Sequence, residues 1–187
     1  REILLAYVFG TSREVEIFRV AFGLPSVLSD SLAGSLVAIL IRVTLKGGGR
    51  QAQALRRSVW AAVLFAGGVF LIGVLTMPWQ AQLLAPGMSA EDHTRLIVAG
   101  RICWLSALFV ILSLPMRALM STRGRIWPGA SSQVVRSGGF VLVLLLFVYV
   151  TDWRGLLAPS FAAAVGGGAV LAGHLVSLGA RYRRRLP

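Results

Sequence analysis

The chain has 187 residues, of which 56% are hydrophobic and only 14% charged, and its mean hydropathy is +0.76. A soluble domain carries about a quarter charged residues, so this composition excludes an ordinary soluble protein and favours a membrane protein. The net charge of +12 would suggest nucleic acid in a soluble protein. Here the excess lies in three acid-free clusters between apolar runs, so no nucleic-acid partner is expected.

The first apolar run, residues 3–9, is too short to cross a bilayer, which needs about 20 residues in a helix. We interpret residues 1–10 as the stump of a longer helix that carries Arg1 and Glu2. The chain is therefore expected to be a fragment.

The second apolar run, residues 17–45, is long enough to span but contains Gly23-Leu24-Pro25. Because proline removes a backbone hydrogen bond and clashes with the preceding turn, this run is predicted to be an interrupted helix with a hinge at Gly23 and Pro25. Such a break is tolerated at membrane depth where the backbone faces protein or a watery cavity. A polar stripe follows the break and makes this the least lipid-like span: Ser26, Ser29, Asp30 and Ser31.

Two further spans are predicted at residues 58–79 and 96–114. Residues 80–95 between them are predicted to form an outer loop with an Ala-Pro-Gly turn that begins at Ala85. Pro115 is expected to end the second of these spans.

The last two spans are predicted at residues 130–150 and 156–178. The final one carries small residues at spacings that let helices approach closely: Gly166, Gly167, Gly168, Ala172 and Gly173. The sequence thus predicts an all-α membrane protein, a polytopic bundle of about six transmembrane helices whose first is truncated. All of it is expected to form one transmembrane lobe over residues 1–187.

Basic residues occupy every second gap between the spans, whereas the charges in the other gaps roughly cancel. By the positive-inside rule the basic gaps are cytoplasmic, so the N-terminus is also predicted to be cytoplasmic. The clusters are Lys46, Arg50, Arg56 and Arg57; Arg117, Arg123 and Arg125; and Arg181, Arg183, Arg184 and Arg185.

The sequence contains no residues at catalytic or metal-binding spacings. His93 lies in the predicted outer loop, His174 lies alone in the last span, and Cys103 lies within an apolar run as an inert small hydrophobe. The sequence therefore predicts neither an enzyme nor a bound cofactor or metal.

Ionisable residues within the apolar runs are the candidates for function. A charge at bilayer depth costs on the order of 3 kcal/mol, so such residues tend to face a bundle interior or a watery cavity. Asp30 is too short to reach the headgroups, whereas Arg101 and Arg136, near span ends, are interpreted as snorkelling to them. A cavity lined by cations would suit a pyrophosphate, because arginine binds phosphate oxygens bidentately. The predicted substrate-binding and transport residues are Arg1, Glu2, Glu16, Arg19 and Asp30.

Several short motifs follow one another in an order that resembles the MviN/MurJ-like lipid II flippases, which belong to the multidrug/oligosaccharidyl-lipid/polysaccharide exporter superfamily. The resemblance covers essentially the whole chain, which would correspond to the first six of the family's fourteen helices. The motifs are Arg1-Glu2, Phe9-Gly10, Glu16-Ile17-Phe18, Ala21-Phe22, Leu24-Pro25, Ala85-Pro86-Gly87, Ala118-Leu119 and Arg123-Gly124-Arg125.

This resemblance implies two helical lobes around a cationic cavity that opens alternately to the two faces of the bacterial cytoplasmic membrane. The implied cargo is a polyprenyl-pyrophosphate-linked glycan, and the implied partners are the lipid bilayer and a C-terminal lobe of the same protein. Arg1 matches the cavity arginine of the family's first helix, and Glu16 stands where the family usually has aspartate. Ser29 and Asp30 stand where the family usually has a basic pair, so both a lipid II-like cargo and an exopolysaccharide precursor stay open.

Two other functions also fit the residues. An acidic residue such as Asp30 in an early helix suits a cation-coupled multidrug antiporter of the same superfamily. A lobe without a polar cavity would instead suit a non-transporting membrane scaffold or a degenerate paralogue.

Overall fold

In the computed structural model, which describes residues 12–46, 51–122, 127–150 and 157–182, every regular element is an α-helix. This confirms the predicted all-α class. The predicted partial helix at residues 1–10 lies outside the described residues. The five helices are α1 (Arg13–Lys46), α2 (Gln51–Leu84), α3 (Ala90–Thr122), α4 (Trp127–Val150) and α5 (Leu157–Tyr182).

Prolines lie inside the helices and do not end them. The predicted interruption of the second span is wrong, because α1 runs unbroken through Pro25, and α3 likewise continues past Pro115 to Thr122. A proline removes one backbone hydrogen bond, and nearby hydroxyls can satisfy the carbonyl groups around it. In α1 the hydroxyl of Ser26 donates to the Gly23 carbonyl oxygen at 2.9 Å, two residues along from the Ala21 carbonyl that Pro25 leaves without an amide donor.

The connection between α2 and α3 is shorter than the predicted outer loop of residues 80–95. Helix α2 continues to Leu84 and α3 begins at Ala90, so only five residues form the predicted turn. Ser89 caps α3: its hydroxyl accepts a hydrogen bond from the Asp92 amide at 3.2 Å. This satisfies one of the amide groups that a helix N-terminus leaves without an intrahelical partner.

Helix α3 is the centre of the bundle. It packs against α1, α2 and α5, while α4 packs chiefly against α5. The largest apolar core therefore follows α3 and takes side chains from all five helices: Ile17, Phe18, Ala21, Met77, Ala81, Ala85, Leu96, Ala99, Cys103, Trp104, Ala107, Phe140, Leu144, Ala158, Ala162 and Ala163.

Glycines permit the closest helix approaches. A Cβ on Gly73 of α2 would collide with the indole of Trp104, and a Cβ on Gly167 of α5 would lie 3.0 Å from the Ser106 carbonyl oxygen of α3. Gly139 of α4 lies so close to α5 that its Cβ would be 3.3 Å from the Cα of Gly166. Small residues thus bring α2 and α5 against α3, as small residues do between transmembrane helices.

The outer surface of the bundle is suited to lipid. Among the described residues, four helices are long and apolar enough to cross a membrane, and α4 adds a shorter apolar stretch, Ser132–Phe147. Large side chains on α2 are left uncovered, with Leu64, Leu75 and Leu83 exposed by 74%, 70% and 82%. A contiguous apolar surface of this kind is costly in water and favourable in a bilayer, so the chain is a multi-pass membrane protein.

Replacing Gly73 by alanine tests the packing of α2 on α3. Because the Trp104 ring is rigid and only 2% exposed, we expect Gly73→Ala to destabilise the full-length protein by about 1–3 kcal/mol through overpacking. Gly68→Ala on the same helix is the matched control, since no other atom lies within 4 Å of its added Cβ. Thermal unfolding in detergent measures both, and equal midpoints for the two variants would contradict this packing.

Candidate functional site

One face of α1 carries most of the predicted transport residues. Glu16, Arg19, Gly23, Asp30 and Gly34 recur at intervals of three, four and seven residues, which places them on one side of a helix. All five are exposed or partly exposed, so the described part of the chain does not bury this side. We call it the free face of α1.

A groove follows part of the free face. Its volume is about 470 Å³, and one residue of α2, Leu84, closes its side. Arg19 and Ser31 supply its polar groups, and the rest of its lining is apolar or glycine: Val20, Gly23, Leu24, Val27 and Leu28. The groove therefore combines a cation with an apolar floor. A lipid-linked anion has the complementary pair of features, an anionic group beside an apolar chain.

The free face is joined to α4 by an ion pair between Asp30 and Arg136. The two terminal nitrogens of Arg136 donate to the two carboxylate oxygens of Asp30, Nη1 to Oδ1 at 3.0 Å and Nη2 to Oδ2 at 3.3 Å. This parallel, two-bond geometry is the strong form of an arginine–carboxylate contact. The side chain of Arg136 is only 7% exposed, whereas that of Asp30 is 54% exposed.

The sequence interpretation of Arg136 as a snorkelling residue is wrong, because its side chain is buried inside the bundle. Helix α5 explains its position. A Cβ on Gly166 would lie 2.7 Å from the Arg136 carbonyl oxygen and 3.3 Å from the Phe140 amide nitrogen, so α4 and α5 touch at backbone level there. This close approach holds the start of the arginine side chain inside, and the guanidinium reaches Asp30 across the bundle.

Glu16 has a different setting from Asp30. It lies in the first turn of α1, where its carboxylate forms an exposed ion pair with Arg13 at 2.8 Å. Arg13 also contacts Asp92 at 3.2 Å, which links the start of α1 to the start of α3. Exposed pairs of this kind contribute little to stability, and the Arg13 contacts orient the two helix ends.

Arg1, Glu2 and Pro25 are the predicted site residues that the described structure does not place on this face. Arg1 and Glu2 lie outside the described residues. Pro25 is fully buried on the opposite side of α1, and Gly23 has no other atom within 4 Å of the position of an added Cβ. A hinge at these two positions stays a prediction.

Sequence reasoning missed a polar network between α2 and α3. The Gln80 side-chain amide donates to Thr76 Oγ1 at 2.6 Å, and its carbonyl oxygen accepts from the Trp104 indole at 3.3 Å. Thr76 and Gln80 lie four residues apart, a spacing that the sequence shows as a helical pattern. Gln80 and Trp104 lie 24 residues apart on different helices, so the sequence does not show their contact. Within the described residues no His, Cys, Asp or Glu group of three or more could hold a metal ion.

Comparison with known proteins gives one finding. The family described as "Lipid II flippase MurJ" matches residues 5–185, which is nearly the whole chain. No curated protein and no solved structure matches it.

The Asp30–Arg136 pair is expected to matter more to stability than the Arg13–Asp92 pair, whose guanidinium is on a half-exposed side chain that water can solvate. Asp30→Asn leaves a buried guanidinium without its counter-charge, and we expect a loss of about 1–3 kcal/mol, less than for a fully buried pair because Asp30 is half exposed. Asp92→Asn is the matched control and should change the unfolding midpoint little. Thermal unfolding of both full-length variants measures the two effects. A larger fall in the unfolding midpoint for Asp92→Asn than for Asp30→Asn would contradict this ranking of the two ion pairs.

Proposed function

The chain belongs to the lipid II flippase MurJ family, and from this membership we propose that it is the N-terminal lobe of a transporter that flips a polyprenyl-pyrophosphate-linked glycan. The family match over residues 5–185 is the observation that carries the proposal. Lipid II itself is the cargo that the family name favours, and an exopolysaccharide precursor is the other cargo of the same chemistry.

The free face of α1 supports this function. A cargo of this class has a long apolar chain, an anionic pyrophosphate and a polar glycan. The groove on this face offers an apolar floor beside Arg19, and the Asp30–Arg136 pair lies farther along the same helix. A face of this composition is costly against lipid, since charges at bilayer depth belong in a polar cavity or a bundle interior.

Transport by alternating access follows from the architecture of the family. In the proposed protein a second lobe covers the free face of α1, and the cavity between the lobes opens to each side of the bacterial cytoplasmic membrane in turn. Arg1, Glu2, Glu16, Arg19 and Asp30 would contact the cargo, and Gly23 and Pro25 would absorb the change in α1. By the positive-inside rule, the basic gaps favour a cytoplasmic N-terminus for the proposed transporter.

The two alternative functions receive no support from the family match. A multidrug antiporter belongs to another branch of the superfamily, and a scaffold would not need a charged face. Neither is favoured by a contact among the described residues.

Complementation tests the proposal. We expect the full-length gene to restore growth of a bacterium depleted of its lipid II flippase, and the Arg1→Ala/Asp30→Ala variant to fail although it reaches the membrane in equal amount. Removing Arg1 takes away a cation that would bind the pyrophosphate, and removing Asp30 takes away the carboxylate that pairs with Arg136, so the transport cycle should fail. Arg95→Ala is the matched control, because Arg95 forms only an exposed pair with Glu91 one turn away.

Full growth with the Arg1→Ala/Asp30→Ala variant would contradict the proposed site. Failure of the unaltered gene, together with loss of exported polysaccharide when that gene is deleted from its own host, would assign the exopolysaccharide precursor as cargo.

A further inference from the structure

We propose that Arg136 is an anion-binding residue of the transport path and that Asp30 is its exchangeable counter-ion, displaced by the pyrophosphate of the cargo. This inference rests on the proposed function, because the cargo supplies the pyrophosphate. It adds a residue of α4 that the sequence pattern assigned to snorkelling and that is not among the predicted transport residues.

The two partners of this ion pair differ in how much they need each other. The side chain of Arg136 is 7% exposed, so as long as it is buried its charge requires an anion beside it. Asp30 is 54% exposed, so water in a polar cavity can solvate its carboxylate after it leaves. The pair can therefore open only if another anion takes the place of Asp30, and it then opens at small cost to the carboxylate.

The guanidinium has donors to spare for a larger anion. Asp30 takes Nη1 and Nη2, while the Nε of Arg136 is buried and has no hydrogen-bond partner in the described structure. An unpaired buried donor is costly. A pyrophosphate has more acceptor oxygens than a carboxylate, and guanidinium binds phosphate in the same forked geometry, so it could satisfy this donor as well.

An anion can reach the pair along the free face of α1. Arg19 lies roughly three turns from Asp30 on that face and lines the groove. Because Asp30 is 54% exposed and Arg136 only 7%, an anion that approaches the pair from solvent meets the carboxylate first. Repulsion between the two anions favours the turning away of Asp30, and the guanidinium then donates to the phosphate oxygens.

The exchange does not require the bundle to open. Helix α4 is held by its close contact with α5 at Gly139 and Gly166, and Phe18 and Phe140 stack at 6.1 Å between α1 and α4. These contacts keep the position of Arg136 when Asp30 moves. The ion pair thus acts as a placeholder that neutralises Arg136 in the empty transporter.

Binding of farnesyl pyrophosphate tests the inference in the purified full-length protein. This probe has the polyprenyl pyrophosphate but no glycan. Asp30→Asn removes the competitor, so we expect about tenfold tighter binding and a larger ligand-induced rise in the unfolding midpoint, although the ligand-free midpoint falls. Arg136→Gln should weaken binding of the probe at least tenfold. In a protein that already carries Arg136→Gln, the added Asp30→Asn should not increase the affinity.

Glu91→Gln is the matched control, because it neutralises an acid whose arginine partner is exposed, and it should leave binding unchanged. The charge-exchanged Asp30→Arg/Arg136→Asp protein separates the proposal from a purely structural clamp. We expect it to recover the unfolding midpoint without recovering binding, because the cation is no longer at the buried position.

Unchanged or weaker binding in Asp30→Asn, or recovery of binding in the exchanged protein, would overturn the inference. These results are independent of glycan transport. A protein that flips the lipid-linked glycan but binds the probe equally with and without Asp30 retains the proposed function and loses this inference. A protein that binds the probe more tightly after Asp30→Asn but flips no glycan retains this inference and loses the proposed function.

Discussion

A guanidinium inside an apolar helix bundle needs an anion, and this requirement constrains the bundle around Arg136. The partner is Asp30, 106 residues away in the sequence and on a different helix. To bring them together, α4 must lie close against α5, and α1 must turn Asp30 toward α4 while the rest of its charged side stays uncovered. The free face of α1, the proposed path of the cargo, is the other consequence of that orientation.

Close packing through glycine makes this orientation attainable. Helix α3 carries the core, and Gly73 of α2 and Gly166 and Gly167 of α5 lie where a side chain would strike Trp104, the backbone of α4 or Ser106. Interfaces of this kind depend on shape, since lipid is as apolar as the helices and drives them together only weakly. The bundle can therefore leave the free face of α1 uncovered by the other described helices and still hold its helices in register.

The sequence predicted the helices better than it predicted their contacts. Long apolar runs are sufficient to find spanning helices, because every backbone group in lipid must be paired within the helix. The same rule explains why α1 and α3 continue through Pro25 and Pro115: each proline removes one backbone hydrogen bond, and the other backbone groups stay paired within the helix. The pairing of Asp30 with Arg136 could not be predicted, because it depends on how α4 packs on α5.

Photo-cross-linking tests most directly whether the cargo passes along the free face of α1. A photoreactive residue would replace Val27, which lines the groove, or Leu75, which is exposed on the apolar surface of α2. With a radiolabelled polyprenyl-pyrophosphate-linked glycan in proteoliposomes of the full-length protein, we expect strong labelling from position 27 and only background labelling from position 75. Equal labelling from both positions, or labelling from position 75 alone, would contradict it.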